Sequence, residues 1–388
     1  MRHRRLTDLT MHFDTDGAVF LRSQAHSLGA RVPPQAVAVL SFCSHPRSRE
    51  EVARMLGAPL AGLYDGLVGA GFLVEPGAED ATPTFFSNFA GLEIHRRMLA
   101  DDRRVDAYAA AIARAVEPGM AVLDAGTGSG LLALLAARAG ARVVYAVDAS
   151  DVLELAAATV EHLGLQDTVK IVRGDFGKVG LPEKVDLIVS ETFGALALAE
   201  GSVPDLAACA ARNLAPGGRV VPDGVSLHLA PVGSEALLDE TIGPFVDRHG
   251  VAFEPLRGAA LRRGRIVDVP AADLLADGAC LARLPYPSPA EPAGELTFTL
   301  RAGVLTGLAG WFDVHDGDVC MISTAPSAPG THWRQTYLPF EPIPVAAGDT
   351  LTLRARLEPA TDDRRSLDVQ VDWTLSGHGS GSGSWRVR

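Results

Sequence analysis

The sequence predicts an α/β chain in three parts: a small α+β domain, a parallel sheet wrapped by helices, and an antiparallel β domain. Two observations carry most of this. From residue 85 to about 229, apolar strand-like runs alternate with Ala-rich helical ones, the pattern of a parallel sheet covered on its faces. After 230, stretches such as "ELTFTLRAGV", "TLTLRARL" and "SLDVQVDWTL" alternate at period two between Gly/Pro turns, the pattern of antiparallel strands.

Taken in order, residues 1–80 begin with short alternating segments such as "GAVFLRS" (17–23). Helical patterns follow at 33–43, 48–57 and 59–74. Ser48 followed by Glu51 is a capping-box spacing that fixes the start of the middle helix. "EPGAEDATPT" (75–84) reads as a linker. Residues 81–229 form the expected sheet-and-helix domain and 230–388 the β domain. The tail "SGHGSGSGSWRVR" is Gly/Ser-rich and is expected to fray.

Bulk composition narrows the function. The chain has 388 residues, 47% of them hydrophobic, enough for two or three cores. It has no run of 18 apolar residues and no signal-peptide h-region, so a cytoplasmic protein with no membrane partner is expected. Four scattered cysteines without a CxxC pair predict buried free thiols, with neither disulfides nor a metal site. A net charge of −12 argues against nucleic acid and favours a cationic substrate.

"AVLDAGTGSGLLALLAARAGARVVYAVDAS" (121–150) is a strand, a glycine turn, a helix and a second strand ending in an acid. Gly126, Gly128 and Gly130 let the backbone turn sharply and approach a ligand, and Asp148 is placed to accept ribose hydroxyls. A dinucleotide fingerprint would need glycine where Leu131 stands. The spacing Asp-x-Gly-x-Gly-x-Gly, led by Asp124, instead resembles S-adenosylmethionine (SAM) methyltransferases of the Rossmann-like class, so SAM is the expected cofactor. Asp175 in "IVRGDF" (171–176) is a candidate for the adenine edge, although an exposed turn aspartate is an equal reading.

Two glutamates, Glu191 and Glu200, bracket "TFGALALA" just after the apolar run "KVDLIV" (184–189). Ionised carboxylates are rarely placed beside an apolar core without a partner, because stripping their water is costly; a bound cation is one reading, and backbone hydrogen bonds to Glu191 with a helix start at Glu200 are the other. Three further stretches look like protein arginine methyltransferases: "FFSNFAGLEIHRRMLADDRRVDAY" (85–108), "SETFGALALAE" with "LAPGGRVVPDGVSLHLAPV", and Thr331-His332-Trp333 within 323–349. The resemblance covers roughly 85–375. It implies a Rossmann-like domain, a β-barrel, and a dimerisation arm near 237–265 whose Ile242, Phe245, Val246 and Phe253 would be poorly covered in a monomer, hence a homodimer.

The resemblance also implies roles. Glu191 and Glu200 would grip a substrate guanidinium, whose planar fork suits carboxylates. Arg104 would bind the SAM carboxylate, and Met98 would line the reaction centre. His332 would pair with Asp101 as a proton acceptor, while Phe89, Phe193 and Trp333 would line the substrate. The chain departs from the pattern in four places. Phe85 and Phe89 stand where the lid has tyrosines, and Thr192-Phe193-Gly194-Ala195 stand where Trp-Met-Gly-Tyr is usual. Arg97 and Gly177 replace acids.

Residues 10–76 fit none of that family and resemble the winged-helix-like, PqqD-like domains that capture leader peptides; an inert dimerisation or lid domain and a nucleic-acid-binding winged helix are the other readings of the same pattern. The sequence therefore predicts a SAM-dependent N-methyltransferase acting on an amine or guanidine of a peptide, such as a ribosomally made natural-product precursor. Two alternatives stand beside it: methylation of free arginine or a small amine, and a SAM-sensing regulator without catalysis.

Overall fold

The structure is a computed structural model that describes residues 2–6, 9–13, 18–23, 28–76, 91–287, 291–361, 363 and 365–388. By its internal packing the chain divides into two units, Met1–His95 with Ser150–Leu155, and Arg96–Ala149 with Ala156–Arg388.

The first unit holds β1 (Arg2–Arg5), β2 (Thr10–Phe13), β3 (Val19–Ser23), β4 (Leu28–Val32), α1 (Ala36–Phe42), β5 (Arg47–Ser48), α2 (Arg49–Leu56), α3 (Ala58–Gly69) and β6 (Leu73–Val74). β2, β3 and β4 form an antiparallel meander, and β1 lies between β5 and β6 in a second small sheet. The alternation in "VFLRS" buries Val19 and Leu21 against Val39, Leu40, Val52, Tyr64 and Phe72. The capping box is formed: Glu51 N donates to Ser48 Oγ (3.3 Å) and Ser48 N to Glu51 Oε2 (2.8 Å).

α4 (Leu92–Leu99) leads into the second unit, whose α5 (Asp102–Ala115) precedes an all-parallel sheet. Its strands are β7 (Ala121–Ala125), β8 (Val143–Asp148), β9 (Val169–Arg173), β10 (Val185–Ser190) and β11 (Leu214–Val221), in the spatial order β11-β10-β7-β8-β9. The connecting helices are α6 (Leu131–Arg138), α7 (Leu153–His162) and α8 (Ser202–Asn213). β7, "AVLDA", is buried at every position, as a central parallel strand covered on both faces must be. The order reverses beside β7, so the ends of β7 and β10 open onto a switch-point crevice, where this class of sheet takes its ligands.

The remainder is antiparallel. One sheet runs β13 (Arg265–Val267), β18 (Gln335–Val345), β16 (Gly303–Asp316), β12 (Gly224–Val232) and β14 (Ala279–Pro285), with β17 (Val319–Ser323) also on β16. The other runs β15 (Ala293–Thr299), β19 (Thr350–Pro359), β20 (Leu367–Leu375) and β21 (Gly379–Val387). A Rossmann-like domain followed by an antiparallel β domain is the fold class that the patterning predicts. Between β12 and β13 lie α9 (Glu235–Val246) and α10 (Glu254–Ala260). Val246, Val251, Phe253 and Leu256 are exposed there, but Ile242 is buried within its own chain, contrary to the expectation, because α9 packs it inward. All four cysteines are free. Cys43 and Cys209 are buried as expected, whereas Cys280 and Cys320 are exposed on strand faces turned to solvent. Among the described residues no helix is long and apolar enough to cross a membrane.

The tail does not fray. Residues 379–387 pair with β20 along their whole length, and Trp385 is 2% exposed with its indole N–H donating to Pro339 O at 3.0 Å. The glycines that look like a linker leave room for rings: a Cβ at Gly381 would lie 2.6 Å from Trp373, and one at Gly383 would lie 2.1 Å from Trp385. Trp385→Ala is therefore expected to destabilise the protein by about 3–5 kcal/mol, the usual cost of emptying an aromatic site. Urea unfolding is the check, and an unchanged midpoint would contradict the packing described.

Candidate active site

The glycine turn follows β7 directly. Gly126, Gly128 and Gly130 have φ of 81°, 51° and 88°, a region that costs other residues strain. A Cβ at Gly126 would sit 2.5 Å from Thr192 Cγ2, so the turn and the loop after β10 close on each other only because nothing projects there. Asp148, at the end of β8, accepts from Gly128 N at 2.8 Å. Asp124 lies beneath the turn, fully buried. Its Oδ2 accepts from Thr127 Oγ1 (2.6 Å) and Ala133 N (2.9 Å), which ties the turn to the start of α6. Burial pushes its carboxyl up to about 7, against those two hydrogen bonds. These residues fit SAM by their chemistry: three glycines that carry no side chain, with the Asp148 carboxylate beside them.

Asp175 is engaged locally, accepting from Gly177 N (3.0 Å) and pairing with Lys178 (3.0 Å). A side chain at Gly177 would meet Asp205 at 3.1 Å, so an acid there would face another acid.

Asp101 caps α5. Its Oδ1 accepts from Arg104 N (3.1 Å), and its Oδ2 takes both the backbone N–H and the Nδ1 of His332 (2.9 Å each). Burial opposes ionisation of Asp101, but the hydrogen bonds from His332 and Arg104 hold its carboxyl below the usual range. One turn along α5, Arg104 is 8% exposed. Its Nε (2.5 Å) and Nη2 both donate to Glu191 Oε2, while Nη1 donates to Met98 O at 3.0 Å. Tyr108, on the same helix, donates to Ser190 O at 3.2 Å. α5 thus gathers the end of β10, Met98 and the loop carrying His332.

The loop from Glu191 to Glu200 is held in an unusual shape. Leu196, Ala197 and Glu200 have φ of 53°, 57° and 76°, and such conformations persist only where surroundings over-determine them. A Cβ at Gly194 would lie 2.8 Å from Glu200 Cγ and 2.9 Å from Ala199 O, so the loop folds back on itself at a position that must be glycine. Trp333 Nε1 donates to Phe193 O at 2.7 Å. The Phe193 ring stacks on Tyr286, with Phe312 beside both Phe193 and Trp333. Phe193 and Trp333 are each only 7% exposed. Phe89 lies outside the described residues.

The electrostatics single out Glu200. Burial, then the neighbouring charge of Glu191, push its carboxyl up to about 8, with Arg365 pulling the other way. Neither Glu200 oxygen, nor Oε1 of Glu191, has a hydrogen bond among the described residues. Arg365 was not singled out by the sequence, because "TDDRRSLD" (361–368) reads as a solvated charged turn. It is 8% exposed, and its Nη1 donates to Glu200 O at 2.6 Å. The arrangement can therefore accept one more cation between two carboxylates, beside a cradle for a nucleoside cofactor.

Comparison with known proteins agrees. Residues 223–378 match the arginine methyltransferase oligomerization subdomain, and residues 122–218 match a methyltransferase domain. Protein arginine N-methyltransferase 1 of Dictyostelium discoideum is 30% identical over 308 residues, covering 76% of this chain and 89% of that protein. Its counterpart from Schizosaccharomyces pombe is 31% identical over 313 residues, covering 75% and 89%. Among solved structures, the Trypanosoma brucei PRMT1 enzyme-prozyme heterotetrameric complex with AdoHcy superimposes with a TM-score of 0.72 at 28% identity, covering 77% of this chain and 99% of that one. Arabidopsis thaliana protein arginine methyltransferase 10 gives 0.69 at 26% identity, covering 78% and 100%. The cradle after β7, the two carboxylates beyond β10 and these matches lead to one conclusion: the chain belongs to the protein arginine N-methyltransferase family and is a SAM-dependent N-methyltransferase.

Proposed function

We propose that the protein methylates a guanidinium nitrogen of an arginine in a peptide, and that Glu191 and Glu200 hold the acceptor. The observation that carries this is the pair of carboxylates whose oxygens are left without hydrogen bonds among the described residues, one of them pushed up to about 8 by burial and by the charge of the other. When bound, SAM supplies an electrophilic sulfonium methyl, whose transfer to nitrogen breaks the carbon–sulfur bond, leaves a neutral thioether and releases one proton from the acceptor. Gly126, Gly128 and Asp148 hold the cofactor, Arg104 meets its carboxylate, and Met98 lies beside the reacting atoms. Asp124 and Asp175 act through the backbone turns they brace. Glu191 keeps Arg104 on Oε2 and offers Oε1 to the substrate. With Glu200 ionised on the other side, the guanidinium charge is drawn to the nitrogens the carboxylates touch, leaving the remaining nitrogen its lone pair and a fixed line of attack. His332, oriented by Asp101, takes the proton. Phe193 and Trp333, being core side chains, brace the glutamate loop and do not line an open pocket.

The first unit supplies the substrate in this account. Among the described residues β2 and β4 each pair on one side only, with β3, which offers sheet edges onto which an extended peptide can add as a strand. A precursor peptide tethered there raises its local concentration at the catalytic unit without altering the chemistry. The exposed Val246, Val251, Phe253 and Leu256, within the matched oligomerization subdomain, form a homodimer contact.

Three outcomes test these assignments. Glu191→Gln and Glu200→Gln should each lower kcat by roughly a hundredfold or more, the usual loss for removing a charge that stabilises the transition state, while SAM affinity by calorimetry stays nearly intact. Turnover at the parent rate in both variants places the acceptor elsewhere. Deleting residues 1–80 should raise KM for a full-length precursor and leave slow turnover of a short leaderless peptide unchanged. Equal kcat/KM for the two substrates with the intact enzyme removes the capture role and favours a free small guanidine. Light scattering at micromolar concentration should give twice the chain mass, and a monomer mass would rule out the arm contact.

A further inference from the structure

We propose that Arg365 is a positioning residue for methyl transfer: from the turn between β19 and β20 it fixes the backbone at Glu200 and so aims that carboxylate at the acceptor. This rests on Glu200 being one of the two groups that hold the substrate cation.

Residue 200, at φ 76°, is a left-handed non-glycine position followed by the left-handed Gly201, just before α8. Its backbone has no helical partner, and one distant residue takes both of its polar groups. Glu200 N donates to Arg365 O at 2.7 Å, and Arg365 Nη1 donates to Glu200 O at 2.6 Å. The turn that presents Arg365 is itself clipped shut. Asp363 Oδ1 accepts from Arg365 N (3.1 Å), Asp363 Oδ2 accepts from Ser366 Oγ (2.8 Å), and Ala360 N donates to Ser366 O (2.9 Å). A guanidinium suits this task because it donates to a carbonyl while keeping its charge, and because its stem is buried with the turn.

The charge matters as well as the hydrogen bond. Two charged groups bear on Glu200, Glu191 from the end of β10 and Arg365 from the β19–β20 turn, while Arg104 of α5 pairs with Glu191. Burial and Glu191 both favour the protonated form, and Arg365 opposes them. Removing the Arg365 charge therefore disfavours ionised Glu200, and a higher pH is needed to make it a carboxylate. The hydrogen bond from Glu200 N uses the backbone of residue 365 and survives any substitution, so side-chain variants isolate the guanidinium.

The test uses the full-length protein with SAM and an arginine-containing peptide, comparing Arg365→Ala, Arg365→Gln and Arg365→Lys with Glu200→Gln as the reference. For Arg365→Ala, SAM affinity should stay within about twofold. Turnover at pH 7.5 should fall roughly tenfold or more, and the acidic limb of kcat/KM should move up by about half to one pH unit. Arg365→Lys should restore the limb, and Arg365→Gln, which keeps a donor and loses the charge, should keep the shifted limb. If Arg365→Ala does not fold, the Gln and Lys pair decides on the same readout. An unmoved limb and parent turnover in the folded variants, while Glu200→Gln is inactive, overturns the role of Arg365 and leaves Glu200 in place. Parent turnover in Glu200→Gln overturns the site on which the proposal stands.

Discussion

Two carboxylates brought out of water beside each other lose hydration and repel, and that conflict at Glu191 and Glu200 organises the active-site half of this molecule. Glu191 meets it by taking Arg104 from α5. Glu200 meets it only in part, through a nearby guanidinium that bonds its carbonyl and not its carboxylate, and its carboxyl sits near 8 as a result. The backbone conformations that bring Glu200 back toward Glu191 are unfavourable ones, and they are held from outside the loop. Trp333 fixes Phe193 O, Arg365 fixes Glu200 at both backbone groups, and Gly194 leaves the space between.

Those supports come from the antiparallel domain, whereas the cofactor cradle belongs to the parallel sheet. Asp101 links the two: as the cap of α5 it orders the helix that carries Arg104, and with its other oxygen it holds His332 from the far β segment. Arg104, Glu191, Met98 and His332 are thus ordered by a few hydrogen bonds around one helix.

How much of this could be read from the sequence follows from the range of the interactions. The glycine turn and Asp148 depend on residues within one strand–helix–strand unit, and their spacing was legible. The two glutamates could be picked out as well, from their chemistry and the apolar strand before them. What could not be read depends on contacts across the chain. The resemblance sets Phe193 and Trp333 beside the substrate, yet each is covered by aromatic rings distant in sequence. Arg365 is hidden in a charged turn whose partner is 165 residues away. The Gly/Ser tail misled because low complexity was read as flexibility, when the missing side chains make room for Trp373 and Trp385.

The central claim is that Glu200 carries a proton in the free enzyme and gives it up to solvent when a substrate guanidinium binds. Calorimetric titration of an arginine peptide into enzyme loaded with S-adenosylhomocysteine, at pH 8 in buffers of different ionisation enthalpy, counts that proton. A group half protonated near its own pKa, and then driven to its ionised form by a cation, releases about half a proton per site. The account predicts that release, and its disappearance in Glu200→Gln. Binding without proton release, or the same release from Glu200→Gln, would contradict it.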